Sequence, residues 1–197
     1  MAFLNIKRGP NRSTKMQKIS ALDTSKISLV KNKFQPAGTT LYDLKIDGKP
    51  LIIYSFGIVD SPVMKSTMFG DKMNFKFKPP AEDYAGLGDL DTRDYGALLG
   101  EELGTHKSMF ESGYIMNVKL GQRKTGFGFS NNVGLTVANI DDFIVPGKSV
   151  TVIGTLGLWV RDAVALTEAT YGVYFTLTDL QLEKDEPPKK VAQRKTK

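Results

Sequence analysis

Trp159 and Tyr174 stand in two apolar segments, VTVIGTLGLWVRD (150–162) and YGVYFTLTDLQLEK (171–184), the first with Arg161 two residues from its indole. An aromatic face beside a guanidinium or ammonium group suits a ligand that is both planar and anionic: the ring stacks, the cation neutralises. Phe127 and Phe129, close to Arg123 and Lys124, repeat the combination; Tyr54 offers a further ring, and Lys76, Lys78 and Lys119 further cations. For the aromatics the competing role is core packing. Trp159 sits among aliphatic neighbours, and Phe127 and Phe129, two apart, would point together into a core if their strand is half buried.

Other chemistries find little material. The chain has no cysteine, which removes disulfides, thiolate nucleophiles and thiolate zinc sites together. Its single histidine, His106, lies in a polar stretch without a nucleophile pattern and reads as solvated. Asp89, Asp91 and Asp94 have the spacing that opens a calcium loop, but Gly100 stands where the closing glutamate belongs, so they read as a solvated acidic loop. PGKS (146–149) ends like a phosphate-binding loop, yet Asp142 replaces the required glycine; GLGDLD (86–91) lacks the third glycine of a dinucleotide fingerprint. KTGFGFSN (124–131) approximates an RNA-recognition octamer without its final aromatic. The expectation is a binding protein, not an enzyme: no catalytic residue, no cofactor, no metal.

The elements that must position these side chains are mostly strands. KISLVKNKF (26–34) partly alternates, and TLYDLKIDGKPLIIYSFGIV, from Thr40, carries Asp47-Gly48 between two apolar runs, a hairpin signal. In MNFKFKPP (73–80) Phe75 and Phe77 share one face and Lys76 and Lys78 the other. YIMNVKL (114–120), GFGFS (126–130) and VGLTVANI (133–140) read as further short strands. Regular alternation puts Val150, Val152, Leu156, Leu158 and Val160 on one side with Gly154 as a bend, and Trp159 on the other. Likewise Tyr171, Val173, Phe175 and Leu177 oppose Tyr174, Thr176 and Thr178. Only Leu98, Leu99 and Leu103 have helical spacing, predicting one short helix interrupted by glycines. Many short strands and 19 glycines indicate a mainly β protein, a barrel or sandwich.

Charge is unevenly spread. The net charge is +6, but residues 1–33 hold eight basic side chains against Asp23 alone, and the last fifteen residues hold six basic against three acidic. Between them Glu82, Asp83, Asp89, Asp91, Asp94, Glu101 and Glu102 face Arg93. Basic ends flanking a less basic body suit a polyanion such as nucleic acid. No run of eighteen apolar residues is present and the first residues lack a signal-peptide centre, so no membrane span is expected and an intracellular location is. The expected organisation is a basic N-terminal arm (1–25), a barrel domain (26–184) with an acidic insertion (80–112), and a basic C-terminal tail (185–197).

The two segments opened with carry a resemblance as well. A strand with a glycine bend and a tryptophan, a variable loop, and then a YGV-type strand resemble the closing strands of oligonucleotide-binding (OB) folds, especially those of replicative single-stranded-DNA-binding proteins of phages and large DNA viruses. The resemblance covers about the last fifty residues and implies an OB-like antiparallel β-barrel, to which the spacing and charge read above add one or two short helices and basic flexible termini. It also implies single-stranded DNA, or RNA, as ligand, a role in replication or recombination, and a groove containing Trp159, Arg161 and Tyr174. Self-association and contact with replication proteins would fit such a role. The family's acidic tail is not carried over, because this chain ends KKVAQRKTK. The rival expectation is a viral coat protein whose basic arms contact packaged nucleic acid.

Overall fold

Phe75 and Phe77 are fully buried, whereas Lys76 between them is half-buried and Lys78 exposed, the period-two signature of a strand with one dry face. That alternation organises a computed structural model describing residues 16–66, 72–112, 115–120, 129–130, 133–136, 139–164 and 167–181. The chain opens with β1 (Met16–Lys18), two single-turn 3-10 helices (Ile19–Ala21 and Thr24–Lys26), β2 (Ile27–Lys31), β3 (Thr39–Ile46), β4 (Lys49–Pro50), β5 (Ile52–Val59), β6 (Met64–Ser66) and β7 (Lys72–Lys78). Two helices follow, α1 (Ala81–Asp91) and α2 (Tyr95–Leu99), then β8 (Thr105–His106), β9 (Phe110–Glu111), β10 (Ile115–Leu120), β11 (Phe129–Ser130) and β12 (Val133–Gly134). Helix α3 (Ile140–Phe143) leads into the two long strands β13 (Ser149–Arg161) and β14 (Thr170–Gln181).

The protein is mainly β, and its strands form one sheet. β13 is long enough to have successive neighbours on one edge: Ser149–Thr155 pairs with β5 and Gly157–Arg161 with β3, while β14 runs antiparallel along its other edge. β14 pairs parallel with β10, β10 antiparallel with β7, and β7 antiparallel with β5. Pairings therefore run β5-β7-β10-β14-β13 and return to β5. β2 continues outward from β3. The β13–β14 register slips by one residue between Ile153 and Gly154, so the two halves of this ribbon follow different curvatures. Asp47 and Gly48 both have positive φ, 50° and 70°, in the tight turn between β3 and β4 that the Asp-Gly pair predicted.

The inner face packs Leu44, Ile53, Phe75, Phe77, Met116, Val118, Leu156, Leu158, Val173, Phe175 and Leu177, each buried to within a few per cent. Each such side chain contributes about 1.5–3 kcal/mol through removal from water. Both expected facings of β13 and β14 are present, with Val160 and Tyr171 only partly buried at the end of the row. On the opposite face Thr151 and Ile153 are buried too, so the early part of β13 is covered on both sides.

Several local expectations are corrected. The acidic stretch is not a solvated loop: α1 runs through Gly86 and Gly88, and Leu87, Leu90, Asp83 and Asp91 are buried. Asp83 accepts from Ser20 N and Ser55 Oγ, tying α1 to the chain before β2 and to β5. Asp91 accepts from Ser108 Oγ and Met109 N, and Asp94 caps α2 through Ala97 N. Of the calcium-loop candidates, Asp91 and Asp94 are thus spent on structure and Asp89 is exposed on α1; among the described residues no group of three His, Cys, Asp or Glu side chains is arranged to hold a metal. Leu98 and Leu99 are helical in α2, but Leu103 lies beyond it. Tyr95 is completely buried, its hydroxyl donating to Leu90 O; burial pushes its phenol up. His106 is not solvated but half-buried, with Nε2 3.4 Å from Asp91 Oδ1. In the stretch 133–140 the described residues give a two-residue strand at Val133–Gly134 and the start of α3 at Ile140. Strand pairing is antiparallel in most places but parallel at β1–β5, β10–β14, β11–β14 and β8–β14. The sheet also begins within the stretch read as an arm, since β1 pairs with β5 and Ile19 is fully buried. Residues 1–15 and 182–197, which carry most of the charge of the basic ends, lie outside the described residues.

Candidate functional site

Register partners in a sheet share a face, so the pairings sort the candidate residues. Tyr174 is opposite Gly157, Trp159 opposite Gly172, and Arg161 opposite Thr170; Lys119 is opposite Thr176 on one side and Asn74 on the other; Lys76 is opposite Asn117. Trp159, Arg161, Tyr174, Lys119 and Lys76 consequently occupy one outward face crossing β13, β14, β10 and β7.

Both rings lie down on this face because their partners have no side chain. A Cβ on Gly157 would stand 2.4 Å from Tyr174 Cζ, and one on Gly172 would stand 3.1 Å from Trp159 Cζ2 and 2.4 Å from the Lys107 carbonyl oxygen. The two aromatic–glycine pairs are reciprocal: each strand contributes one ring and one glycine. Cations stand above the rings, Lys119 Nζ 4.5 Å from the centre of Tyr174 and Arg161 Cζ 5.8 Å from that of Trp159. Both distances fall within the range of cation–π attraction. Tyr174 is half-buried, and burial, reinforced by the negative charge of Asp43, pushes its phenol up to about 12. Asp43, the β3 partner of Gly157, is held by Asn32 Nδ2 at 2.8 Å.

Lys76 is tied down by an ion pair, its Nζ 2.5 Å from Glu111 Oε2 on β9. Lys78 is exposed at the end of the same face, opposite Ile58. Tyr54 is set apart: it pairs with Ile153 and with Lys18 of β1, six residues up β13 from Trp159, about 20 Å at strand rise. Arg123, Lys124 and Phe127 lie outside the described residues, and of Phe129 only the backbone is described, paired with Asp179. Asp179 is itself buried, which pushes its carboxyl up, and it accepts from Leu180 N.

Sequence reasoning missed the surroundings of Trp159. A cleft of about 410 Å³ opens beside the indole, lined by Lys107, Arg161, Thr167, Glu168 and Thr170 as well as Trp159. One wall is set by β8 and the residue after it: Thr105 N donates to Ala169 O, and Lys107 N to Tyr171 O. A two-residue strand is too short to leave a periodic signal, so nothing in the sequence placed Lys107 next to Trp159. A second cleft, about 640 Å³, is lined by Asp94, Glu101, Glu102, Leu103 and Tyr171 and is acidic.

No family model matches the chain, and no curated protein matches it. Among solved structures, the chain is similar to a C-terminally truncated single-stranded DNA-binding protein from bacteriophage Enc34. That match has 12% identity and a TM-score of 0.43, covering 83% of this chain and 96% of the other. The untruncated protein of the same phage matches at 12% identity and a TM-score of 0.39, over 86% and 96% of the two chains.

Proposed function

We propose that this chain binds single-stranded nucleic acid without strong sequence preference, by stacking bases on Tyr174 and Trp159 and neutralising phosphates with the cations around them. The single observation that supports this reading is the reciprocal aromatic–glycine arrangement on one outward face, with a cation at each ring. Rings laid flat on a sheet turn their second π face outward, and once Lys119 and Arg161 swing from the rings to phosphates that face is open to any base; every base has a π face, so such a surface tolerates sequence. Lys76, Lys78, Lys119 and Arg161 are proposed to follow the backbone.

The order and direction of the β5-β7-β10-β14-β13 pairings support reading them as an OB-like barrel, with its one parallel contact between the third strand in sequence, β10, and the fifth, β14. Barrels of that type bind oligonucleotides across their second and third strands, between the loops that follow the first and fourth. Here those positions correspond to β7 and β10, the connection from β5 to β7, and the connection from β13 to β14, which is the neighbourhood of Lys76, Lys119 and Trp159.

Salt titration tests the proposal. Affinity for a single-stranded oligonucleotide should fall linearly on a log–log plot, with a slope of about −0.7 per phosphate neutralised. An affinity insensitive to salt, or preference for duplex over single strand, would reject it.

A further inference from the structure

We infer that the cleft beside Trp159 is a nucleobase pocket that selects guanine at one position of an otherwise sequence-tolerant groove; the inference rests on the proposed nucleic-acid binding. The cleft joins an aromatic floor, two cations and a carboxylate: Trp159 backed by Gly172, Arg161 and Lys107, and Glu168. Each matches one part of a nucleotide. The indole receives the base once Arg161, which rests over the ring at 5.8 Å, swings aside to a flanking phosphate, and Lys107 on the wall set by β8 takes the other phosphate.

Glu168 decides which base. Its Oε2 accepts from Thr105 Oγ1 at 3.3 Å, and its chain segment is fixed by the bond from Thr105 N to Ala169 O, so the carboxylate is held at the rim of the cleft by β8. An ionised carboxylate is an acceptor only, with two oxygens side by side. Guanine alone among the DNA bases offers two adjacent N–H donors on its Watson–Crick edge, the ring N1–H and the exocyclic amino group. Cytosine and adenine offer one amino group beside a ring acceptor, and thymine one N–H between two carbonyls, each of which sets an acceptor against the carboxylate. A carboxylate in this place therefore favours guanine and opposes thymine. Thr167 and Thr170, whose hydroxyls both donate and accept, fit either sugar or base edge and do not discriminate.

The test uses the full chain and thymidine oligonucleotides of about eight nucleotides, within the usual footprint of one such barrel. Single substitutions of dG, dA, dC or deoxyinosine are placed at successive positions and followed by the fluorescence of the lone tryptophan. One dG, in at least one register, should raise affinity over the all-thymidine strand by about five-fold or more, the discrimination expected of one bidentate pair. Deoxyinosine, which lacks the amino group, should lose most of that gain, and Glu168→Ala should bring the ratio of dG to dT affinities close to one. Equal binding of all substitutions, or a guanine gain that survives Glu168→Ala, overturns the pocket and leaves the sequence-tolerant groove standing. If no oligonucleotide binds, the proposed function falls and the pocket with it.

Discussion

The ring of Tyr174 fills the space left by the missing side chain of Gly157: the two are register partners, and a Cβ on Gly157 would stand 2.4 Å from Tyr174 Cζ and 2.5 Å from its hydroxyl oxygen. Gly157→Ala must therefore lift the ring from the sheet. We expect a stability loss of about 1–3 kcal/mol in denaturant unfolding, the usual cost of overpacking, together with weaker single-strand binding. The double variant Gly157→Ala, Tyr174→Ala removes the clash and should be less destabilised than the two single losses added together. Simple additivity would mean that the ring and the glycine do not share this space.

The phenol of Tyr174 gives a second, pH-based test. Because its folded value is raised to about 12 by burial, the neutral phenol is favoured in the folded state. Its contribution is complete below the unfolded value of about 10 and disappears as pH rises through about 12. Phenolate absorbance should accordingly show late titration in the folded protein from Tyr42, Tyr95 and Tyr174, all pushed up by burial, and Tyr174→Phe should remove one of the late components. The same variant should flatten the loss of stability between those pH values. If the number of late phenols is unchanged in Tyr174→Phe, Tyr174 is not the buried group described here.

What the sequence disclosed follows from which signals are local. Alternation is local, and so the facings of Phe75, Lys76, Trp159 and Tyr174 could be read from spacing alone. So is turn chemistry, which is why Asp47-Gly48 announced its hairpin. Helix α1 was hidden because Gly86 and Gly88 lower helix propensity by about 1 kcal/mol each, and only tertiary contact explains the first of them. A Cβ on Gly86 would stand 3.0 Å from the carbonyl oxygen of Ile19, in the turn that packs on the helix. The parallel partnership of Met16–Lys18 with β5 joins a basic stretch to a strand far away in the sequence, and composition suggested an arm there. The aromatic–glycine pairs were half legible: the rings and glycines are visible in the sequence, but the one-residue slip at Ile153/Gly154 sets their register, and no local rule predicts it.

Glu111 is expected to restrain binding. Lys76 is one of the proposed phosphate contacts, yet its ammonium is held 2.5 Å from a Glu111 carboxylate that is half exposed. A pair at such a position contributes about 0–1 kcal/mol to stability, so Glu111→Gln should leave the melting temperature nearly unchanged. Freed from its partner, Lys76 should neutralise one more phosphate. Single-strand affinity should then rise at low salt, and the log–log salt slope should steepen by about 0.7. Unchanged affinity and slope would remove Lys76 from the phosphate track.

Trp159, the only tryptophan, reports on its own surroundings. The structure places it between the two roles the sequence left open: half-buried, one side against Gly172, and a cleft at its margin. A ring in that position should be partly quenched by iodide in the free protein and protected once a single strand is bound, with a change in emission on binding. Trp159→Phe retains a stacking face and should lose less affinity than Trp159→Ala, for which a loss of about 1–3 kcal/mol is expected. Comparing the two separates stacking from packing, because a purely structural tryptophan would lower the melting temperature in both variants while the folded fraction kept its affinity. An indole closed to iodide beforehand and unmoved by a saturating oligonucleotide would assign Trp159 to packing, leaving Tyr174 under Lys119 as the stacking platform on the described face.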